Sequence, residues 1–297
     1  MNPPIKNTPP VVIGLGEILW DIFDGRKTLG GAPANFAYHA RCAGAEGIVV
    51  SAIGNDPLGD AIESLLREKH LENRLQRCDN ATGSVRITLS SDGVAHYVFP
   101  PDVAWDNIDF TESLRALAQS ADAAAFGTLA QRSLHSRRSI RAFLEAMPEN
   151  ALRVCDLNLR QNFYSEKIIR DSLALADILK INEEELSVLE TLFALPQQSG
   201  IRERCESFFR NVFPEFPSLR YAVITLGADG SIAGTRNGER SFIPAKKDLS
   251  VVDTVGAGDS FTATFTVALL CGKPPAEAHR LAAERAEFVC SRPGAMP

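Results

Sequence analysis

The 297-residue sequence lacks the features that mark several large classes of protein. It contains no run of about 18 apolar residues, so a transmembrane helix is not predicted and a membrane is not an expected partner. Residues 1–10 hold four prolines and no apolar run, which excludes a secretory signal peptide and predicts a disordered leader. The six cysteines form no CxxC pair, which argues against a zinc site. We therefore expect a cytoplasmic protein with reduced thiols.

Basic runs and the common nucleotide-binding motifs are also missing. The chain has 31 Lys and Arg against 37 Asp and Glu, for a net charge of −6. No Lys/Arg cluster offers a nucleic-acid surface, so nucleic acid is not an expected partner. The phosphate loop GxxxxGK[ST] and the protein-kinase motifs are absent, and residues 14–17 (GLGE) lack the third glycine of a dinucleotide fingerprint. A polyanionic ligand would have to be held by backbone amides and a metal ion.

What the chain does contain is a regular alternation of strands and helices. Short apolar runs at residues 11–16, 48–53 and 123–126 are typical of buried strands, and helical patterns lie between them. This alternation predicts an α/β fold with a central, mainly parallel sheet flanked by helices. Residues 84–89 and 95–99 instead alternate apolar and polar side chains around Asp92-Gly93, which predicts a half-exposed hairpin. Without a linker or repeat, residues 11–297 read as a single domain.

Residues 253–261 (DTVGAGDSF) are the most informative segment of the sequence. Small residues at Gly256, Ala257 and Gly258 precede an apolar helix, and they let a ligand approach the backbone closely. The first amides of a helix lack internal partners and favour an anion such as a phosphoryl group. Asp259, where the helix begins, can take a proton from a hydroxyl. The alternative is a glycine turn with Asp259 as its helix cap.

Further polar residues follow predicted strands, where ligands of open α/β sheets bind. Asp21 follows the first strand and can accept hydrogen bonds from a polyol, while Gly31 and Asn35 sit around the next helix start. Asn182 and Glu185 are spaced to share one side of a helix start, and they can hold a hydrated Mg²⁺. Each of these sets also has a purely structural explanation, as a loop carboxylate, a helix start or a capping box.

Two more strand ends carry candidate ligands. Residues 156–160 (DLNLR) place Arg160 after a strand, where it can pair with a phosphate or a carboxylate. Thr225 and Gly227 end a later strand and can border a nucleotide. Either set alone is weak evidence for a binding site. The carboxyl ends of parallel strands, however, meet at one edge of a sheet, where ligands bind. The sequence therefore predicts that these polar sets converge on one site.

Together these motifs resemble the ribokinase-like (PfkB) carbohydrate kinases. Residues 253–259 resemble the C-terminal signature of the family, residues 30–35 (GGAPAN) its N-terminal signature, and residues 182–185 its Mg²⁺-associated motif. The resemblance runs from about residue 11 to residue 297. Residues 103–106 (VAWD), 126–132 (FGTLAQR) and 156–163 (DLNLRQNF) are similar to the fructokinase branch.

The resemblance implies transfer of the γ-phosphate of ATP to a sugar hydroxyl, under a small β lid formed by about residues 18–30 and 82–106. It also implies the role of each candidate residue. Asp259 would be the general base, and the amides around Gly256, Ala257 and Gly258 would form an anion hole. The sugar would be bound by Asp21, Gly31 and Asn35. Asn182 and Glu185 would organise Mg²⁺ and phosphates, Thr225, Gly227 and Gly258 would lie along ATP, and Asp253 would help form a K⁺ site.

Several alternatives remain open. D-Fructose is the first expected substrate, with 2-dehydro-3-deoxygluconate, ribose or a nucleoside as alternatives. An acidic sugar would need a cationic partner, for which Arg86 and Arg160 are the candidates. A catalytically silent sensor on the same fold is a further alternative. Family members often continue past residues 294–297, where a last cation ligand can lie, so K⁺ dependence stays open. Apolar faces of the lid strands leave a homodimer open.

Overall fold

The structure is a computed structural model that describes residues 8–89 and 95–297. Most of the predicted leader, and the predicted turn at Asp92-Gly93, lie outside the described residues. No helix among the described residues is long and apolar enough to cross a membrane.

Nine strands of the described chain form a central sheet. Along the sheet their order is β13-β12-β11-β10-β9-β8-β1-β4-β5, parallel from β11 to β5 and antiparallel at β12 and β13. The mainly parallel sheet predicted from the sequence is therefore confirmed. The strands are β1 (Val11–Leu15), β4 (Glu46–Gly54), β5 (Glu72–Cys78), β8 (Ala123–Phe126), β9 (Leu152–Asp156), β10 (Ile178–Asn182), β11 (Tyr221–Thr225), β12 (Ser231–Thr235) and β13 (Arg240–Ile243).

Helices cover both faces of this sheet, which explains why its inner strands are apolar throughout. One face packs against α3 to α7 and the other against α1, α8 and α9. The helices are α1 (Ala32–Cys42), α2 (Pro57–Glu68), α3 (Glu112–Ser120), α4 (Leu134–Ala146), α5 (Glu166–Leu175), α6 (Glu183–Leu192), α7 (Ile201–Glu215), α8 (Ala257–Leu270) and α9 (Pro275–Cys290).

A second, smaller sheet stands beside the central one. Its order is β3-β2-β6-β7, from β2 (Leu19–Phe23), β3 (Arg26–Gly30), β6 (Ser84–Leu89) and β7 (Ala95–Val98). The hairpin of β6 and β7 was expected from alternation, whereas β2 pairs in parallel with β6 across more than sixty residues of chain. Trp20 of β2 packs inward, and its indole N–H donates to the Leu58 carbonyl at the start of α2. This bond ties the small sheet to the main domain.

Candidate active site

Two connected cavities lie at the carboxyl ends of the parallel strands. The larger, of about 620 Å³, is lined by Glu17, Asp21, Glu185 and Asp259, and we call it the carboxylate cavity. The second, of about 520 Å³, has walls that include Ile243, Leu249, Phe261, Ala283 and Ala286, and we call it the apolar cavity. Three residues line both and mark their junction: Thr225, Thr254 and Gly258.

The start of α8 forms the floor of this junction. Gly256 caps the helix with φ of 76°, a left-handed conformation that favours glycine, and Ala295 packs against it so closely that a Cβ would lie 2.7 Å from the Ala295 Cβ. The Ala257 amide donates to the Thr254 carbonyl over 3.2 Å, which closes the turn that leads into the helix. The helix therefore begins with its positive end facing the junction.

Asp259, in the first turn of α8, is held by a residue from the other end of the chain. The Asn35 amide nitrogen, in the first turn of α1, donates to Asp259 Oδ2 over 2.7 Å. Burial, together with the nearby Asp156 carboxylate, raises the pKa of Asp259 to about 6, against the opposing effect of the Asn35 hydrogen bond. A carboxyl with this pKa is ionised at neutral pH and is a better proton acceptor than an ordinary aspartate.

Lys180 is a cation in this site that sequence reasoning missed. It points from the buried strand β10, with its ammonium 3.2 Å from Asp156 Oδ1, and a Cβ built on Gly258 would lie 2.9 Å from that ammonium. Thr262 of α8 donates to the other Asp156 oxygen over 3.0 Å. Burial lowers the pKa of Lys180, but the surrounding carboxylates, led by Asp156, raise it above its ordinary value. A fixed positive charge therefore lies against the start of α8.

The pair Asn182 and Glu185 forms the capping box that was the structural alternative for these residues. Asn182 Oδ1 accepts the Glu185 amide at 2.8 Å, and Glu185 Oε2 accepts the Asn182 amide at 2.9 Å. Glu185 Oε1 accepts the Leu159 amide at 2.8 Å, which fixes the loop after β9. Both carboxylate oxygens are thus hydrogen-bonded, and the Glu185 side chain still lines the carboxylate cavity.

Side chains of the small sheet form the far wall of the carboxylate cavity. Asp21 lies there, and burial raises its pKa to about 6 while Arg160 opposes the rise. Gly31 lines the same wall. Its φ of 110° favours glycine, and a Cβ there would lie only 2.5 Å from the Glu17 carbonyl oxygen. Arg26 of β3 also lines this wall and was not singled out from the sequence.

Arg86 is the one candidate side chain that the structure does not bring into either cavity. It is exposed on β6, whereas its neighbour Val85 is buried and lines the carboxylate cavity. Successive residues of a strand face opposite sides, so one of the two had to point away. The alternation predicted two faces but did not indicate which one meets the site.

The family follows from a comparison with known proteins. The model of the pfkB family carbohydrate kinases matches residues 13–297. This chain belongs to the pfkB family. The ribokinase-like fold expected from the sequence is confirmed, and the chain is a sugar kinase.

Relatives of this pfkB kinase act on more than one sugar. It is 26% identical over 281 residues to an ATP-dependent 6-phosphofructokinase of Thermoanaerobacterium thermosaccharolyticum, covering 88% of this chain and 82% of that protein. It is 30% identical over 268 residues to a fructokinase of Klebsiella pneumoniae, covering 86% and 83%. The structure of Vibrio cholerae fructokinase with fructose, ADP and calcium aligns with a TM-score of 0.78 at 23% identity, covering 98% of this chain and 96% of that one.

Asp253 of this pfkB kinase lies just before the glycine turn. Its carboxylate accepts the Val255 amide and the Gly294 amide, each at 3.0 Å, and so joins the turn to the segment that packs on Gly256. Thr225 lines the junction, and Gly227 lines the apolar cavity, at the end of β11. The polar residues expected to converge are thus brought to one edge of the sheet, whereas Arg86, the hairpin candidate for binding an acidic sugar, is not.

Proposed function

We propose that this kinase transfers the γ-phosphate of ATP to a hydroxyl of D-fructose, with Asp259 as the general base. The observation that carries the proposal is the Asn35–Asp259 hydrogen bond in the carboxylate cavity, beside the junction residue Gly258. In this proposal the sugar binds in the carboxylate cavity and the nucleotide in the apolar cavity, and the raised pKa of Asp259 suits a proton acceptor between them. The fructokinase relative and residues 103–106, 126–132 and 156–163 favour fructose as the sugar.

The proposed reaction needs few parts. Asp259 accepts the proton of the attacking hydroxyl while the sugar oxygen bonds to the γ-phosphorus and the bond to the leaving ADP oxygen breaks. The first turn of α8 and the Lys180 ammonium stabilise the charge on the transferring group. Asp21, Gly31 and Asn35 hold the sugar, and the small sheet above them excludes water, which favours transfer over hydrolysis.

The residues present fit a magnesium ion that keeps its water shell. Glu185 and Asn182 offer oxygens at the cavity wall, but their hydrogen bonds to each other and to Leu159 leave them suited to hold water rather than a bare ion. Mg²⁺ bound with ATP would neutralise phosphate charge. The turn between Asp253 and Gly294 is where we propose that K⁺ acts, and the assay below includes it as a variable.

An acidic acceptor is the second candidate, because two arginines border the carboxylate cavity. Arg26 and Arg160 both line it, and Arg160 acts on the carboxyls of Glu17 and Asp21. A guanidinium pairs with carboxylate or phosphate in a fork, which suits 2-dehydro-3-deoxygluconate or a sugar phosphate. The same guanidinium also balances the carboxylates of the protein itself, so fructose remains the first candidate.

The test is ADP release with MgATP against fructose, fructose 6-phosphate, 2-dehydro-3-deoxygluconate, ribose, glucose and adenosine, with and without K⁺. We expect fructose to give the highest kcat/KM. The matched variant Arg160→Gln should change kcat/KM for fructose by less than about tenfold, while a true acidic substrate would lose about 100-fold, the effect of about 3 kcal/mol. A higher kcat/KM for an acidic sugar would overturn fructose, and ATP binding without any turnover would favour the sensor.

A further inference from the structure

Glu17 is a buried carboxyl that the proposed reaction does not use. It follows Gly16 after β1, and its residue is 2% exposed. Its Oε2 has no hydrogen-bond partner among the described residues. An unpartnered buried oxygen costs free energy, so a native protein that keeps one has a missing partner or a use for it.

A small cavity lies against this carboxyl. It has room of about 20 Å³ for the centre of a water molecule, which is enough for one water. Asp259 and Asp156 line the same cavity, and apolar side chains from α1 and β8, Phe36 and Phe126, form other parts of its wall. Although most of the wall is apolar, the carboxyls of Glu17, Asp156 and Asp259 offer the two to four polar partners that an ordered water needs.

We propose that Glu17 is a positioning residue for Asp259, joined to it by one water in this cavity. Glu17 in its protonated form donates through Oε2 to the water, and the water donates to the Asp259 carboxylate. The proposal rests on the proposed role of Asp259 as base. It gives Asp259 a second donor besides Asn35, so that the carboxylate is fixed from two sides.

The charges around Glu17 favour this order of protonation. Burial, together with the Asp259 carboxylate, raises the pKa of Glu17 to about 7, against the opposing effects of backbone amides and Arg160. The pKa of Asp259 is lower, at about 6. The groups that face this pair are Asp156 at the end of β9, Arg160 in the following loop and Lys180 on β10, all of which act on Asp259. Between these values Asp259 is ionised while Glu17 keeps its proton.

A pH dependence follows. As pH rises through about 6, Asp259 loses its proton and turnover should rise. As pH rises through about 7, Glu17 ionises, its donor is lost and a second negative charge stands beside the base. Turnover should therefore fall on the alkaline side.

The first test needs no activity. A crystal structure of the whole protein should show one water within hydrogen-bond distance of Glu17 and Asp259. Infrared difference spectra of wild type against Glu17→Gln at about pH 6.5 should show the carbonyl stretch of a protonated carboxyl, which disappears at about pH 8.5. An empty cavity, or no such band, would overturn the proposal. Both readouts hold even for a protein that turns over no sugar, so they separate this proposal from the proposed function.

The second test is the pH profile of kcat. Glu17→Gln keeps the donor but cannot ionise, so we expect turnover within about threefold of wild type at pH 7 and no alkaline fall. Glu17→Leu removes the donor, and we expect about tenfold lower kcat with unchanged KM for ATP. The control is Asp177→Asn, a partly buried carboxylate that accepts the Arg153 amide just before the opposite end of β10 and should leave the profile unchanged. An alkaline fall that persists in Glu17→Gln would refute the role of Glu17.

Discussion

The two cavities of the site differ in what their walls are made of. The carboxylate cavity is lined by Glu17, Asp21 and Asp259, whose pKa values are all raised by burial. The apolar cavity has a largely apolar wall with two exposed lysines at residues 246 and 247. Within the described part of the chain, two of the buried side-chain atoms without a hydrogen-bond partner, on Glu17 and Asn35, belong to residues that line the carboxylate cavity.

This difference shows which of the two cavities destabilises the fold. Desolvated carboxyls and unpartnered oxygens destabilise a fold, and proteins keep them where they serve binding or catalysis. An apolar wall selects a ligand mainly by shape and contains no buried charge that needs a partner. We therefore expect variants of the carboxylate cavity to change kcat and its pH dependence, and variants of the apolar cavity to change only the KM for ATP.

The sharpest test of this contrast is Asp259→Asn. The amide keeps the shape and can still bond with Asn35 but cannot accept the proton, so we expect kcat to fall by roughly 10²-fold or more. The acid limb of the wild-type profile near pH 6 should disappear with it. The measurement is steady-state kinetics with isothermal titration of ATP as the control for binding. Turnover within tenfold of wild type would mean that another group takes the proton.

The next largest fall in kcat is expected from replacement of Lys180. Replacing Lys180 by Met leaves Asp156 buried without its cation, which destabilises a protein on its own. The double variant K180M/D156N removes both charges, and we expect it to fold while kcat falls about 100-fold through lost stabilisation of the phosphoryl group. The control is Lys246→Met, an exposed lysine of the apolar cavity, which should leave kcat within about twofold of wild type. An equal loss of kcat in K180M/D156N and in Lys246→Met would contradict the proposed difference between the two cavities.

The smallest effect is expected in the apolar cavity. Ala286 of α9 lines it, and Ala286→Leu adds three carbons to the wall. Such overpacking should raise the KM for ATP about tenfold, equivalent to about 1.4 kcal/mol, without changing kcat or the KM for sugar. Ala276→Leu, on the exposed first turn of the same helix, is the control. A fall in kcat without a change in KM would show that this wall also orients the reacting groups.

Much of the site was predictable because parallel strands end at one edge. Asn35 and Asp259 are 224 residues apart, and their separate motifs each had a plain structural explanation, yet the topology joins them in a hydrogen bond of 2.7 Å. The capping box at Asn182 and Glu185 shows that the structural and functional interpretations of one motif can both apply. The site was predicted from the expected convergence of several motifs at one edge of the sheet, since no single motif was sufficient.

The residues that were missed lacked a local pattern. Lys180 interrupts the apolar strand ILKIN, and a charge inside a buried strand is a signal that could have been used. Glu17 lies just after β1, whereas Asp21, also expected after the first strand, lies inside β2. Only the surroundings of Glu17 in the described structure show that its Oε2 lacks a hydrogen-bond partner. Which of Val85 and Arg86 meets the cavity depends on the pairing of β6 with β2, a long-range contact that alternation does not specify.

The bond between Asn35 and Asp259 also means that the two halves of the site are synthesised at different times. The ribosome completes α1 early and α8 late, so the nascent chain carries Asn35 long before Asp259. Until α8 has emerged and docked on α1, Asp259 and the part of the apolar cavity lined by Phe261 are missing from the chain. If Asp259 is the base, as proposed, we expect a fragment that ends before residue 257 to phosphorylate no sugar.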